Sequence, residues 1–219
     1  MKVAVITPYY QESKEVLMRC LNSVVKQNYF GIHHFVVADG YENRQDLISR
    51  PGMSHLAVPR CNDFGDTPRG VAAAVASAQG FDAIAFLDAD CWYEPDHIRI
   101  MVGVMEESGR DIVTCPRNLY DEGGKHLGVD VESDGYLFND TNCYLINREH
   151  FNFLSLWLFK TRDQAQVGDR IVFNSIKEFQ IKMARSTKAT INYTTKLEMH
   201  KGQHGQRSAD AKEFDWRLM

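Results

Sequence analysis

The chain has 219 residues, enough to bury a substantial core, and we expect one domain spanning residues 1–219. Its formal net charge of −4 provides no basic surface of the kind that nucleic-acid-binding proteins carry, so small-molecule partners are favoured over nucleic acid. The five cysteines are widely spaced without a C-x-x-C pair, which indicates a reducing compartment, and no apolar run approaches the roughly 18 residues of a membrane span. We therefore expect a cytoplasmic protein.

The first half of the sequence alternates between two hydrophobic patterns. Continuous apolar runs predict strands at 3–7, 34–39, 55–58, 83–87 and 111–115. Helical spacing predicts helices at 13–27, 66–80 and 94–108. Ser13 and Thr67 are the expected N-caps of the first two helices, and the third is expected to begin at Pro95. This alternation predicts an α/β fold with a mostly parallel sheet flanked by helices.

The second half has a less regular pattern. A glycine-containing turn between two short strands is predicted around 120–128, and a strand at 141–148. A long amphipathic helix is predicted at 168–186, followed by short strands at 188–193 and 196–200. Residues 201–219 have no clear period.

Polar residues follow three of the predicted strands. They are the stretch 7–12, Asp39, and the pair Asp88 and Asp90. Open α/β sheets bind ligands beyond the carboxyl ends of their strands, so we expect these groups to meet at one edge of the sheet. A lone aspartate before glycine, as in the case of Asp39, is also typical of an ordinary turn.

Asp88 and Asp90 form a D-x-D pair directly after an apolar run. Residues two apart on a strand face the same side, so both carboxylates can approach one point. Mg²⁺ or Mn²⁺ held by one or two carboxylates and substrate phosphates is the metal chemistry that fits such a pair. The simpler alternative is that both aspartates cap the next segment and face water.

Several stretches taken together resemble the GT-A glycosyltransferases, in particular the inverting family 2. They are VAVITPYYQE, VVADG, AQGFDAIAFLDADCWYEPDHI, TNCYLINREHF and VGDRIVFNSIKEF. The resemblance covers most of residues 2 to 200 and implies a single Rossmann-like GT-A domain. It also implies a metal-dependent enzyme that moves a sugar from a nucleotide-sugar, expected to be a UDP-sugar, to a hydroxyl of a glycan or another acceptor.

The resemblance implies donor-binding roles for residues at the strand ends. Asp39 matches the aspartate that contacts uracil, and Asp88 and Asp90 match the acids that contact the ribose and the metal. The remaining donor-binding positions implied by the resemblance are Thr7, Pro8, Tyr9, Glu12 and Arg69. Glu12 lies one position later, and Arg69 two positions earlier, than in the family pattern. Mn²⁺ or Mg²⁺ is the implied cofactor.

Asp169 stands where the resembling family keeps its catalytic base, although Gly168 replaces the first acid of the usual pair. A carboxylate at a helix start is also favoured by the helix dipole for structural reasons alone. His200, with His204 as a second candidate, matches a histidine that helps to hold the metal or the diphosphate. The implied halves are a nucleotide-sugar-binding part at 1–115 and an acceptor and catalytic part at 116–200, with 201–219 as a tail that closes as a lid.

Two alternatives to a glycosyltransferase remain open from the sequence. A nucleotidyltransferase also uses metal-bound acids on a similar sheet, but it needs a glycine-rich basic loop after the first strand, where this chain has TPYYQE. A non-catalytic nucleotide-sugar binder fits the missing acid at Gly168 and the altered donor helix, whereas the intact Asp88, Asp90 and Asp169 favour an enzyme.

Overall fold

The computed structural model describes residues 1–40 and 49–195. The strands of this part of the chain are β1 (Val3–Tyr9), β2 (Ile32–Asp39), β3 (Met53–Val58), β4 (Ala83–Phe86), β5 (Trp92–Tyr93), β6 (Ile112–Thr114), β7 (Arg117–Tyr120), β8 (His126–Val129), β9 (Tyr144–Asn147), β10 (Met183–Arg185) and β11 (Ile191–Thr194). Its α-helices are α1 (Lys14–Val25), α2 (Asp66–Ala78), α3 (His97–Ser108), α4 (Arg162–Ala165) and α5 (Gly168–Glu178). Two 3₁₀ segments cover Thr141–Cys143 and Arg148–Trp157.

A seven-stranded sheet forms the centre of the fold, in the order β10-β6-β9-β4-β1-β2-β3. Its strands pair in parallel except β9, which runs antiparallel to both β4 and β6. The α/β class and the mostly parallel sheet predicted from the sequence are therefore confirmed. Strands from both predicted halves share this sheet, because β9 and β10 come from beyond residue 115.

Both faces of the central sheet are buried, as the continuous apolar runs predicted. Along β1, Val3 and Val5 pack in one cluster with Cys20 of α1. Ala4 and Ile6 face the other way and pack in a second cluster with the small residues of α2, Ala72, Ala73 and Ala76. Since successive strand residues point to opposite faces, one apolar run serves both layers.

A second, four-stranded sheet has the order β5-β11-β7-β8. The predicted glycine turn is confirmed, because it joins the antiparallel pair β7 and β8. The two-residue strand β5, which pairs with β11, was not predicted. The helix α3 begins at His97 and not at the predicted Pro95. No helix within residues 1–40 and 49–195 is long and apolar enough to span a bilayer.

Two further predicted helices also differ at their ends from those observed. Thr67 is not an N-cap, since α2 begins at Asp66 with Gly65 as its N-cap. Asp63 accepts a hydrogen bond from the Thr67 N–H at 2.9 Å. The helix predicted to run through 168–186 ends at Glu178. Gln180 then has a φ of 55°, which a helix cannot accommodate, and the remaining apolar residues form β10.

The strand predicted at 141–148 is confirmed in its second half only, because a 3₁₀ turn occupies Thr141–Cys143 and β9 follows it. Ser13 is confirmed as the cap of α1, where its hydroxyl accepts from the Val16 N–H at 3.3 Å. The strand predicted at 196–200 lies outside the described residues.

The close approach of α2 to the chain at Leu158 gives a prediction about Gly70. A Cβ added there would overlap Leu158 Cγ and lie 2.7 Å from its Cδ2. We expect Gly70→Ala to destabilise the protein by about 1–3 kcal/mol through overpacking. Gly103→Ala, inside α3 with nothing within 4 Å of the added carbon, is the control and should stabilise by up to about 1 kcal/mol. Urea unfolding measures both, and equal shifts would contradict the packing argument.

Candidate active site

A cavity of about 610 Å³ opens beyond the carboxyl ends of β1, β2 and β4. It lies at the edge where strand-end polar groups were expected to meet. It is lined by seven of the residues predicted to bind donor or metal: Pro8, Tyr9, Glu12, Asp39, Arg69, Asp88 and Asp90. The sheet therefore brings together side chains that are up to about 80 positions apart in the sequence.

Thr7 does not reach this cavity. Its side chain is fully buried, and its Oγ1 lies 2.8 Å from His34 Nε2. Burial lowers the pKa of His34 to about 3, so the ring is neutral and shares one proton with the Thr7 hydroxyl. The buried contact with His34 gives Thr7 a structural role. Its contact with the nucleotide-sugar stays a prediction.

The end of the cavity next to β2 is built around Asp39, whose side chain is 2% exposed. Asp39 Oδ1 accepts a hydrogen bond from the Cys61 N–H at 2.7 Å, and Oδ2 forms an ion pair with Arg60. The Arg60 guanidinium in turn lies over the ring of Tyr10, 3.4 Å from its centroid. Arg60 was not predicted from the sequence, where an arginine after a weak strand carries no distinguishing pattern.

The loop at 59–65, between β3 and α2, forms one wall of the cavity. Asn62 and Phe64 have φ angles of 56° and 57°, in the left-handed region that side chains other than glycine rarely adopt. At Gly65, where φ is 84°, an added Cβ would lie 3.0 Å from Pro8. Backbone strain of this kind persists where surrounding contacts enforce it, commonly at functional sites.

Arg69 and Asp88 form an ion pair in the middle of the cavity. Arg69 is 7% exposed and also donates to the Phe64 carbonyl oxygen at 2.9 Å. Asn142 holds Asp88 from the other side, accepting from its N–H at 2.5 Å and donating from Nδ2 to its Oδ2 at 2.9 Å. The carboxylate is therefore held in place before any ligand binds.

Asp90 differs from Asp88 in having no cationic partner among the described residues. Its side chain is accessible through the cavity mouth, yet the protein atoms around it, and next the charge of Asp88, raise its pKa to about 6. The Cys91 thiol, a weak donor, lies 3.5 Å from its Oδ1. A negative charge without compensation is what a divalent cation would neutralise, so the residues present fit such an ion.

Asp88 and Asp90 supply two carboxylates, and within residues 1–40 and 49–195 no group of three His, Cys, Asp or Glu side chains could hold a metal. One or two carboxylates with water and phosphate oxygens are the usual ligands of Mg²⁺ at nucleotide sites. His200 and His204, and the tail at 201–219, lie outside the described residues.

A chain of polar contacts leads from Asp88 into the second half of the protein. Asn142 donates to Asp140 at 2.8 Å as well as to Asp88, and Asp140 pairs with the buried Arg117. Arg117 also bonds Asp130 at 2.7 Å. The sequence signal for this network is the cluster of Asn and Asp residues just before β9, for which no role was predicted.

Asp169 lies in the first turn of α5, outside the cavity lining. Burial, and then the charge of Asp140, raise its pKa to about 6. Its Oδ1 accepts from the neighbouring Arg170 N–H at 2.8 Å, while the N-cap of the helix is Val167. A partly buried carboxylate with a pKa near neutrality has the protonation behaviour of a general base.

Gly168 stands where the family resemblance implies an acid. The side chains around it leave little room for one. A Cβ at this position would lie 3.0 Å from Asp66 Oδ2 and overlap Lys160 Nζ. Lys160 and Asp66 form a buried ion pair at 2.7 Å, and Asp66 is also 3.6 Å from Arg69. The start of α5 therefore packs against the start of α2, in the space that a longer side chain would need.

The family model described as Glycosyl transferase family 2 matches residues 4–176, which is most of the chain. The chain belongs to glycosyl transferase family 2. The glycosyltransferase class and the family predicted from the sequence are thereby confirmed. No match was found among curated proteins.

Solved structures of S. aureus TarS have the same fold as this family 2 chain. TarS itself matches with a TM-score of 0.68 at 16% identity, over 89% of this chain and 37% of that one. TarS 1-349 in complex with UDP matches with a TM-score of 0.68 at 15% identity, over 89% of this chain and 61% of that one. TarS 1-349 in complex with UDP-GlcNAc matches with a TM-score of 0.66 at 16% identity, over 94% and 62%. The chain thus spans less than two thirds of these proteins.

Proposed function

We propose that this protein transfers a sugar from a nucleotide-sugar, specifically a UDP-sugar, to a hydroxyl of a glycan or another acceptor, with inversion at the anomeric carbon. The observation that carries the proposal is the placement of Asp39, Arg69, Asp88 and Asp90 around one cavity, joined through Asn142 to the half of the protein that holds Asp169. Family membership supports the reaction class.

The donor is proposed to occupy the cavity beyond β1, β2 and β4, whose volume of about 610 Å³ suits a nucleotide-sized ligand. Asp39 and the wall at Pro8 and Tyr9 take the base, and Arg69 and Asp88 take the ribose and phosphates. The binding of UDP and UDP-GlcNAc by TarS, a protein of the same fold, supports this choice of donor. In this proposal residues 1–115 bind the donor and 116–200 supply the acceptor side.

A divalent cation, Mn²⁺ or Mg²⁺, fits at Asp90 with Asp88, because Asp90 has no cationic partner among the described residues. His200 remains a proposed further ligand. The ion would supply positive charge against the diphosphate, which is the leaving group of the reaction.

Asp169 is proposed to accept the proton of the acceptor hydroxyl. The acceptor oxygen forms a bond to the anomeric carbon while the bond from that carbon to the diphosphate oxygen breaks, and the proton passes to the Asp169 carboxylate. Because the nucleophile enters opposite the leaving group, the configuration inverts. The raised pKa of Asp169, about 6, makes it a stronger base than an ordinary aspartate and leaves it ionised at pH 7.

Two measurements test this function. Calorimetry with Mn²⁺ present should detect binding of UDP, and incubation with a panel of UDP-sugars should release UDP slowly, by transfer to water, at a rate that an acceptor increases. A non-catalytic binder would bind UDP without releasing it from any sugar, and a nucleotidyltransferase would release pyrophosphate from a nucleoside triphosphate. Either result would overturn the proposal, as would failure to bind UDP.

A further inference from the structure

A second cavity, of about 240 Å³, lies beside the C-terminal half of α5. Its walls are that part of the helix, the strand β10 and the loop that carries Gly135 and Tyr136, and it shares no lining residue with the proposed donor cavity. We propose that this second cavity binds a small organic anion, an apolar group that carries a phosphate or a carboxylate. The proposal goes beyond sugar transfer and does not depend on it.

The charged side chains that line this cavity are all positive. They are Lys177, Lys182 and Arg185, and no Asp or Glu lines it. The ion pairs formed among the described residues include none of these three cations. Asp134, the acid of the adjoining loop, accepts from the backbone N–H groups of residues 136 and 137 at 2.8 and 2.7 Å. In a chain with a formal net charge of −4, three such cations around one cavity favour an anionic ligand.

The guanidinium of Arg185 is held in place by uncharged oxygens. Its Nη1 donates to Thr114 Oγ1 at 3.2 Å and to Asn139 Oδ1 at 3.1 Å, and its Nη2 donates to the Ser133 carbonyl oxygen at 2.6 Å. Gly135 makes room for this arrangement, because an added Cβ would overlap Nη1. A guanidinium has five N–H donors, so two remain to meet a ligand after these three contacts. The site therefore contains a fixed positive charge with no carboxylate paired to it among the described residues.

Lys177 lies beside the apolar part of the cavity. Its Nζ donates to the Tyr136 carbonyl oxygen at 3.1 Å and lies 5.4 Å from the centroid of the Tyr136 ring. The ring centroid of the buried Phe173 is 5.5 Å from the same nitrogen. Ile181 and Met183 complete the apolar lining. Because an ammonium has three donors, a ligand can place its apolar group against these side chains and its anionic oxygens toward Lys177.

The size of the cavity limits the ligand. Its volume of about 240 Å³ is below the roughly 300–1,000 Å³ of pockets that hold drug-sized ligands, so a small molecule or a terminal group fits. Inorganic phosphate would leave the apolar lining in water, and a neutral apolar molecule would leave the cations without a partner. Two sources of an organic anion fit this place. One is an end of the acceptor, since Asp169 lies in the first turn of the same helix, and the other is a separate effector.

The experiment is calorimetric titration of 2-naphthyl phosphate, 2-naphthol and inorganic phosphate into the wild type. The first probe carries an apolar group and an anion, whereas each of the others lacks one of the two. We expect 2-naphthyl phosphate to bind at least about tenfold more tightly than either, because hydrogen bonds to charged groups are stronger than neutral ones. Added salt should weaken its binding, since the exposed lysine charges are screened.

Lys177→Met and Lys182→Met each remove one cation and keep an unbranched side chain. Each should lower the affinity for 2-naphthyl phosphate by roughly three- to tenfold and leave that for 2-naphthol unchanged. Lys182 is exposed, so its replacement should not disturb the fold, and thermal midpoints check both variants. Lys26→Met is the control, because it also removes a charge from the C-terminal end of a helix, at the C-cap of α1. The control should bind all three probes as the wild type does.

Two further titrations locate the probe and its source. In protein saturated with UDP, the affinity for 2-naphthyl phosphate should be unchanged, because the two cavities share no lining residue. Release of UDP from a UDP-sugar by transfer to water is then measured with and without the probe. A separate effector site predicts a changed rate, whereas a site for one end of the acceptor predicts an unchanged rate and competition with the acceptor. Both results support the site.

Displacement of the probe by UDP would overturn the proposal, as would equal affinity for 2-naphthyl phosphate and 2-naphthol. Wild-type affinity in both lysine variants would do the same. Absence of probe binding would also overturn it, and a dimer in sedimentation would then indicate that the cavity and the edge strand β10 seat a second copy of the chain. None of these results bears on the proposed function, which fails instead if the wild type does not bind UDP.

Discussion

Replacing Asp169 with asparagine is expected to lower the rate of sugar transfer by roughly two to four orders of magnitude, the usual contribution of general-base catalysis. Asparagine keeps the shape of the side chain and its hydrogen bond from the Arg170 N–H, which is 2.8 Å in the wild type. UDP affinity should be unchanged, because Asp169 lies outside the lining of the proposed donor cavity. The measurement is transfer with a competent donor and acceptor, beside the thermal midpoint and UDP titration.

The pH dependence adds a second readout for Asp169. Burial and Asp140 raise its pKa from 3.8 to about 6, so the carboxylate takes up a proton as the pH falls through about 6. The transfer rate of the wild type should therefore fall below about pH 6. In the asparagine variant, the residual rate should lack this dependence.

The sign of the effect on stability separates a base from a structural cap. With a raised pKa, the folded protein binds more protons than the unfolded chain between pH 4 and 6, so ionising Asp169 costs stability as the pH rises through that window. Removing the charge should leave the protein at pH 7 as stable as the wild type or slightly more so. A cap needed for the helix would predict the reverse.

Asp163→Asn is the matched control, since Asp163 is an exposed aspartate in the first turn of the neighbouring helix α4. It should change neither the transfer rate nor its pH dependence. Transfer near the wild-type rate in Asp169→Asn would show that another group removes the acceptor proton.

The parts of the fold that were predicted correctly depend on local patterns with one physical reading. The run at 3–7 is apolar at every position, which only a strand buried on both faces requires, and it became β1. Ser13 marked the start of α1 because its hydroxyl satisfies a free N–H of the first turn. The polar strand ends met in space because parallel strands finish at the same edge of the sheet.

The prediction at 168–186 failed because the sequence does not separate a helix from a strand that directly follows it. Apolar residues continue at helical spacing through Ile181 and Met183, and no glycine or proline marks the end of α5. Gln180 breaks the helix by adopting a left-handed conformation, and β6 offers an edge on which β10 pairs. That edge is a tertiary feature, and it overrides the local pattern.

The candidate site shows a similar limit. Asp88 and Asp90 were predicted from their own spacing. The two side chains that hold Asp88 are those of Arg69 and Asn142, which are 19 and 54 positions away from it in the sequence. The replacement of an acid by Gly168 was a departure without an explanation until the packing of Lys160 and Asp66 was seen. Long-range partners of this kind leave no regular spacing in a single sequence.

Replacing Asp90 with asparagine is expected to remove the effect of manganese on UDP binding. Asp90 lines the proposed donor cavity and has no cationic partner among the described residues, so the ion is the group that would pair with its charge. Loss of a carboxylate ligand should weaken metal affinity by at least about 10–100-fold, the cost that is typical of losing even an outer-shell partner. Without metal, UDP should bind the variant at least as well as the wild type, because one negative charge near the diphosphate is gone.

UDP is titrated, with and without Mn²⁺, into the wild type, Asp90→Asn and the control Asp163→Asn. The thermal midpoint of each protein confirms that it is folded. Wild type and control should bind UDP more tightly with the ion, and Asp90→Asn should bind UDP equally under both conditions.

Asp88→Asn is expected to change UDP affinity even without the ion. Arg69 and Asn142 hold the Asp88 carboxylate, so its loss disturbs the cavity in the absence of any metal. A manganese effect that survives in Asp90→Asn would place the ion on other ligands. Equal UDP affinity with and without manganese in the wild type would remove the metal from the mechanism, and Arg69, a cation in the lining of the cavity, would then be expected to face the diphosphate.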